Sequence, residues 1–300
     1  MAVQQEEFDK NSVERTLCIP LWCRALAVEK LPQILPDHDA TRILREMGQT
    51  KPPTVFYRME CACLAGAIRQ YDFAKEIEWY LREHPDAVVV EMGAGLSCLR
   101  RQMGNTRNVW VNLDLPDVIA CREKYIEAGA NERNIACDLT DHRWFDEIPF
   151  NPPCGAIFIA GGVFHYFAST EIKRLVTDMA ARFPGATLVF DTVSKKELKD
   201  GNGHVSNTDN DTRMAFCLDD APQQLPAWSD RLVNTMRRSY LEACSTTLSR
   251  GSTFARNATS CSWCIPNSAP TSCELAVPAS ALPLSRALGP ASRALRRRVK

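Results

Sequence analysis

Residues 87–95, Ala-Val-Val-Val-Glu-Met-Gly-Ala-Gly, limit what this chain can fold into more than any other stretch. Val88, Val89 and Val90 form a short continuous apolar run, the pattern of a parallel strand covered on both faces rather than a half-exposed one. The run ends in Glu91 and a turn carrying Gly93 and Gly95, where the missing side chains let the backbone pass close to a ligand. Ligands of open α/β sheets sit beyond the carboxyl ends of the strands, so this turn marks a candidate nucleoside site.

The lettering of the turn separates two cofactor classes. A dinucleotide fingerprint has a third glycine three positions after the second, and here that position is Cys98. The turn instead reads Glu91-x-Gly93-x-Gly95 and resembles motif I of class I S-adenosylmethionine-dependent methyltransferases. A carboxylate would repel a pyrophosphate but attracts an ammonium or a sulfonium. A nicotinamide-dependent oxidoreductase and a plain strand-to-helix connection remain the competing readings.

Later strands end in similar residues. Val109–Asp114 is a second apolar strand, and Asp114 lies about twenty residues past the glycines, where ribose hydroxyls are gripped. Asp114 can equally cap the helix that opens at Pro116, and the two roles are compatible. A third strand, Arg133–Cys137, runs into Asp138-Leu139, and a fourth, Ala156–Ala160, into Gly161-Gly162. Asp138 can accept from an adenine amino group while Leu139 covers the ring, or it can open a turn with Thr140.

Taken together these stretches resemble the leucine carboxyl methyltransferase superfamily, most closely its polyketide-synthesis O-methyltransferase branch. The resemblance runs over roughly residues 15–243, through 19–25, 88–97, the Asp-Leu-Pro-Asp-Val run at 114–118, 158–167, and 182–186 through 190–194. It implies S-adenosylmethionine as cofactor, with Arg69 holding its carboxylate through a planar guanidinium fork. The implied cofactor set is Arg69, Glu91, Gly93, Ala94, Gly95, Asp114, Leu115, Asp138, Leu139 and Ala160. The chain departs from many relatives at Gly161, where they carry a glutamate.

Methyl transfer needs little acid or base chemistry, because the sulfonium is already a good leaving group and alignment supplies most of the acceleration. A base matters for a hydroxyl acceptor and hardly at all for a carboxylate. His165 and Tyr166, just past the fourth strand, are the candidate catalytic residues, His165 alternatively being a hydrogen-bonded wall residue. His204 is a second candidate. Asn151-Pro152-Pro153-Cys154 is similar to the catalytic loop of amino-directed DNA methyltransferases, but it precedes its strand and lacks the aromatic, so a turn is expected.

The fold class expected is α/β: a doubly wound, mostly parallel Rossmann-like methyltransferase sheet. Strands near 87, 108, 133, 155 and 186 alternate with helices at 116–128 and 169–182, as right-handed crossovers require. Helices at 13–30, 40–47 and 58–83 precede the sheet and form a cap. A methyltransferase domain thus spans 1–243, with the cap at 1–84 and the core at 85–243. The polar stretch 192–211 reads as a mobile loop beside the crevice, able to act as a lid.

From 244 to 300 the composition turns to serine, alanine, proline and arginine, with Glu274 the only acidic residue. No counterpart of the family's last two antiparallel strands is visible there. The tail reads as a disordered extension or as the product of a shifted reading frame or splice, and if the fifth strand is left as a sheet edge its backbone groups stay unpaired.

Charge and cysteine usage narrow the remaining classes. Lysines plus arginines and aspartates plus glutamates each number 36, so there is no basic footprint for nucleic acid. No apolar run reaches the roughly 18–20 residues that span a bilayer, and the acidic, polar first ten residues are unlike a signal peptide. The 13 cysteines are odd in number and scattered, as expected of reduced thiols; Cys261-Ser-Trp-Cys264, with Cys273 nearby, lacks the second pair that completes a metal site. The expectation is a cytoplasmic O-methyltransferase acting on a small secondary-metabolite hydroxyl or carboxylate, without metal. A cofactor-binding relative without catalysis is the other alternative.

Overall fold

Strand β1, Val88–Met92, is buried along its whole length, as its unbroken apolar run requires. Val88, Val90 and Met92 join the larger core on one face, while Val89 packs with Phe73, Ala74 and Ile77 on the other. In the computed structural model, which describes residues 13–30, 37–49, 60–205, 213–238 and 269–275, this strand lies near the centre of a seven-stranded sheet.

In chain order the elements are α1 (Val13–Lys30), α2 (His38–Glu46), α3 (Glu60–Glu83), β1, α4 (Leu99–Gln102), β2 (Trp110–Asp114), α5 (Pro116–Tyr125) and β3 (Glu132–Ala136). They continue with β4 (Ala156–Ala160), α6 (Ser169–Arg182), β5 (Thr187–Thr192), α7 (Lys195–Val205), α8 (Ala221–Gln224), β6 (Leu232–Arg237) and β7 (Ala269–Leu275). The strand order is β3-β2-β1-β4-β5-β7-β6. The first five strands run parallel, and β7 is antiparallel to both β5 and β6.

The order reverses between β1 and β4, which is where a doubly wound sheet opens its crevice. Register aligns the strand tips: Met92 sits opposite both Leu113 and Ala160, Asp114 opposite Ala136, and Ala160 opposite Phe190. The cores on the two faces of the sheet are built from α6 with Trp144, Phe158 and Phe183 on one side and α3 with Trp110 on the other. A third cluster joins α1 and α2 to α5 through Leu21, Ile43, Leu44 and Cys121.

Two expectations are corrected. The segment read as a mobile loop contains helix α7, fastened where the Asn202 amide bonds both the carbonyl and the N–H of Met214. Residues 206–212 fall outside the described residues. The tail does supply a strand: β7 pairs with β5 from Thr187↔Glu274 to Thr192↔Ala269, so β5 is interior. Its sequence, Ala-Pro-Thr-Ser-Cys-Glu-Leu, has no apolar alternation, and a ladder made by backbone groups leaves no side-chain signature to read. Strand β6 carries a bulge between Val233 and Met236, with Asn234 at φ 51°, which breaks the two-residue period there as well. The remainder of 244–300, including Cys261 and Cys264, lies outside the described residues.

The turn expected at 151–154 is present, closed by the amides of Cys154 and Gly155 on the Asn151 carbonyl at 2.9 and 3.1 Å.

Candidate functional site

The turn after β1 and the loop after β4 meet across the reversal point. Gly93 has φ 68°, and a Cβ there would lie 2.2 Å from Val163 Cγ2, so a glycine is required both by backbone conformation and by the neighbour. The N–H groups of Gly93 and Ala94 donate to the Leu113 carbonyl at 2.7 and 3.2 Å, pinning the turn to the end of β2.

Asp114 closes the next side. Its Oδ2 accepts from the Gly95 N–H at 2.7 Å and its Oδ1 from the Leu115 N–H at 2.8 Å. The N-cap role weighed above falls instead to Leu115, which has no side-chain cap. Each carboxylate oxygen carries two lone pairs, so a set of acceptor sites remains for a diol after these bonds are made. Burial pushes the Asp114 carboxyl up, against the pull of the two amides and of Arg122.

Beneath the turn is a buried charge cluster. Arg122, 2% exposed, donates to the carbonyls of Gly95 and Ser97 at 3.0 and 2.7 Å and reaches Glu132 Oε1 at 3.4 Å. Glu132 also meets Arg100 at 3.3 Å and accepts from the Asn112 amide at 2.9 Å and the Gly129 N–H at 3.0 Å. Although burial pushes the Glu132 carboxyl up, the Gly129 amide, Asn112, Arg122 and Arg100 together hold it below its ordinary range. From the cap, Arg24 donates to the Leu96 carbonyl at 2.8 Å and to Asp37 at 2.6 Å, tying α1 and the N-terminus of α2 to the same turn. None of this was expected from the sequence. The signal was there in Asn112, a polar residue inside an apolar strand, and in Arg122, on the face of α5 that carries Val118.

The tips of β4 and β5 form the other half. Asp191, 2% exposed, accepts from the Gly162 N–H at 2.7 Å through Oδ1. Its Oδ2 lies 3.1 Å from Arg69 Nη1 and 3.3 Å from His165 Nε2. Burial pushes this carboxyl up, but the charges of His165 and Arg69 and the bonds from His165 and Gly162 outweigh it and hold it well below the usual range. A Cβ at Gly162 would meet Arg69 Nη1 at 2.6 Å, so the glycine makes room for the guanidinium. Asp191 carried no site role in the sequence reading, though it ends a buried apolar strand just as Asp114 does. His165 is 8% exposed, and Tyr166 beside it is 55% exposed.

The other expected residues are placed as follows. Glu91 is buried at 7% exposure on the same face of β1 as Val89, and its Oε1 accepts from the Trp110 indole at 2.9 Å; burial pushes its carboxyl up. Asp138 is exposed and takes its turn role, Oδ1 accepting from both the N–H and the hydroxyl of Thr140 at 2.7 Å. The Leu139 side chain is 5% exposed and packs in the main core, and the Trp144 indole donates to its carbonyl. That placement corrects the expectation that this side chain covers a ring. Ala94 and Ala160 are buried in the turn and at the tip of β4, while Leu115 is 46% exposed beside Asp114. His204 falls within α7. At Gly161, a Cβ would lie 2.6 Å from Phe73 Cε2, so a ring from α3 fills the space that a side chain at this position would need.

The residues present fit a nucleoside carrying a positive sulfur better than a dinucleotide. The third fingerprint glycine is Cys98, 2% exposed, and the helix after it, α4, is a single turn from Leu99 to Gln102, too short to present a dipole to a pyrophosphate. Among the described residues no group of three histidine, cysteine or acidic side chains could hold a metal ion. Among them, too, no helix is long and apolar enough to cross a membrane.

Comparison with known proteins agrees with this geometry. No protein-family profile matches the chain. It is 29% identical over 187 residues to the tetracenomycin polyketide synthesis O-methyltransferase TcmP of Streptomyces glaucescens, covering 61% of this chain and 67% of that protein. Two crystal structures share the fold: a candidate methyltransferase from Thermobifida fusca YX (TM-score 0.55, 13% identity, 85% of this chain and 94% of that one) and a DUF574 family protein from Streptomyces avermitilis (TM-score 0.53, 10% identity, 84% and 96%).

Proposed function

We propose that this chain is an S-adenosylmethionine-dependent methyltransferase of the polyketide O-methyltransferase branch, and that it transfers a methyl group to an oxygen of a small secondary-metabolite acceptor, a hydroxyl or a carboxylate. The observation that carries this reading is the alignment of two tip aspartates about the β1/β4 reversal: Asp114 bonded to the glycine turn, and Asp191 bonded to Gly162 and paired with Arg69. Asp114 and Asp191 end strands three places apart, about 14 Å at ordinary strand spacing, a span suited to one extended nucleoside ligand.

In this reading Gly93, Ala94 and Gly95 give the cofactor close access to the backbone, and Asp114 with Leu115 grips the ribose. Asp138 borders the base and Ala160 the sulfur. Arg69 holds the amino-acid carboxylate, and Glu91 acts from beneath the turn, through the field of a buried carboxylate rather than by direct contact. When bound, the cofactor supplies a methyl carbon on a cationic sulfur, open to attack by an oxygen. His165 and Tyr166 face the acceptor. The catalytic unit consists of the cap at 1–84 and the core from 85, which recruits β7 from the region after 243. Its thiols at Cys98, Cys137, Cys154 and Cys217 are free, in keeping with a reducing cytoplasmic setting.

Transfer of labelled methyl from S-adenosylmethionine to a panel of phenols and aromatic acids tests the proposal. Label should reach an acceptor with the wild type and not with Asp114→Ala. Binding of NADH in place of S-adenosylhomocysteine, followed by tryptophan fluorescence, would overturn it.

A further inference from the structure

Gly95 is held from both sides. Its N–H donates to Asp114 Oδ2 at 2.7 Å, and its carbonyl accepts from Arg122 Nη1 at 3.0 Å. The same Nη1 serves the Ser97 carbonyl at 2.7 Å, while Arg24 from α1 takes the Leu96 carbonyl between them at 2.8 Å. The consecutive carbonyls of residues 95, 96 and 97 are thus met by arginine side chains, in a segment that belongs to no helix or strand. Backbone groups outside a ladder are completed by side chains or solvent, so these arginines set the course of the turn. Gly95 itself has φ 48°, and a residue without a Cβ leaves such a conformation readily, so its partners and not its own sterics hold it there.

Arg122 and Asp114 belong to one unit of the fold. Asp114 ends β2, α5 opens at Pro116, and Arg122 lies further along that helix, so carboxylate and guanidinium grip the same glycine from the two peptide groups that flank it. Arg122 is itself aimed. Its Nη2 lies 3.4 Å from Glu132 Oε1 on β3, and Glu132 is fixed in turn by Arg100, Asn112 and the Gly129 N–H. Buried at 2% exposure, the guanidinium is a rigid fork with one nitrogen on the turn and the other on Glu132. A lysine brings one flexible ammonium to the same place and does not hold both in a fixed geometry.

We propose that Arg122 is a positioning residue for the cofactor: by holding the Gly95 and Ser97 carbonyls it keeps the Gly95 N–H on Asp114 Oδ2 and so presents that carboxylate to the ribose hydroxyls. The inference rests on the methyltransferase reading above and adds to it the residue that shapes the nucleoside-binding turn. Arg122 lies beneath the turn and acts through it. Without the fork the glycine segment relaxes, the Gly95–Asp114 bond loosens, and part of the binding energy goes into reordering the segment.

The deciding measurement is calorimetric titration of the full chain with S-adenosylhomocysteine, in the wild type, Arg122→Met, Arg122→Lys, Asp114→Asn and the double variant Arg122→Met/Asp114→Asn. Arg122→Met leaves Glu132 with Arg100, Asn112 and the Gly129 N–H, so no buried carboxylate is stranded. It should bind about tenfold more weakly than wild type, the worth of one charged hydrogen bond. Arg122→Lys keeps the charge without the fork and should stay at least about fivefold weakened. Because Arg122 and Asp114 act through the same glycine, the double variant should bind within about threefold of Asp114→Asn alone, where independent losses would multiply to about 100-fold. Met179→Ala, in the core under α6, is the control for lost stability: it should unfold at lower urea yet bind within about twofold of wild type. Wild-type affinity in Arg122→Lys, losses that multiply in the double variant, or a weakening by Met179→Ala as large as that by Arg122→Met would overturn the assignment. If Arg122→Met does not fold, the affinity of Arg122→Lys decides alone. Failure of the wild type to bind S-adenosylhomocysteine would instead sink the methyltransferase reading.

Discussion

Substituting Gly93 by alanine tests the architecture of the turn in numbers. The residue sits at φ 68°, where an L side chain costs about 1–2 kcal/mol relative to glycine. The new Cβ would also lie 2.2 Å from Val163 Cγ2 and 3.0 Å from Cγ1, an overlap that forces the β4 loop to move and adds about 1–3 kcal/mol of overpacking. Gly93→Ala should therefore cost roughly 2–5 kcal/mol in urea unfolding. The two shares can be separated. Val163→Ala removes both offending methyl groups, so the double variant should recover the overpacking share, about 1–3 kcal/mol of coupling, and keep the backbone share. If Gly93→Ala unfolds within about 0.5 kcal/mol of wild type, or if Val163→Ala gives no rescue, the close contact between the β1 and β4 loops is wrong.

Other consequences follow from the buried charges. Asp114→Asn keeps the size but removes the charge that receives the Gly95 and Leu115 amides and, in the proposed reading, the ribose hydroxyls; losing charged hydrogen bonds worth about 1.5–3 kcal/mol each should weaken S-adenosylhomocysteine binding at least about tenfold by calorimetry. Glu132 is held below its ordinary value of 4.5, so its contribution is fully present above that pH and is lost as the pH falls through the folded value. Glu132→Gln should flatten the decline of urea stability below pH 4.5, while Asp191, also held low, preserves part of the slope. The Cys98 thiol is pushed up to about 12, first by burial and then by Asp37 and Asp39, so native protein should leave it unmodified by maleimide at pH 8 while Cys154, half-buried beside an exposed turn, reacts; mass spectrometry of peptides distinguishes them.

The parts of the molecule legible in the sequence are those written in side-chain patterns. The runs 88–90, 110–114 and 156–160 gave parallel strands because strands buried on both faces must be apolar throughout. The glycines and the carboxylate at the tip of β2 were legible because a tight turn, and an acceptor for its amides, each admit few residue types. Strand β7 was not, because β5 recruits it through backbone pairing that its polar sequence does not announce. Asp191 and Arg122 were not, because a charge reads as solvated unless the fold places it; only the assembled sheet brings Arg69, His165 and Asp191 together across 122 and 26 residues of chain. Asp138 shows the opposite case, where two readings were open and the exposed turn with Thr140 is the one adopted.

Titration calorimetry of the folded wild-type chain with S-adenosylhomocysteine tests the central claim most directly, that the tips of five parallel strands hold one sulfur-bearing nucleoside. A single saturable site is predicted, weakened at least about tenfold in Asp114→Asn and unaffected by NADH as competitor. No heat with the nucleoside, or binding that survives Asp114→Asn unchanged, would contradict it.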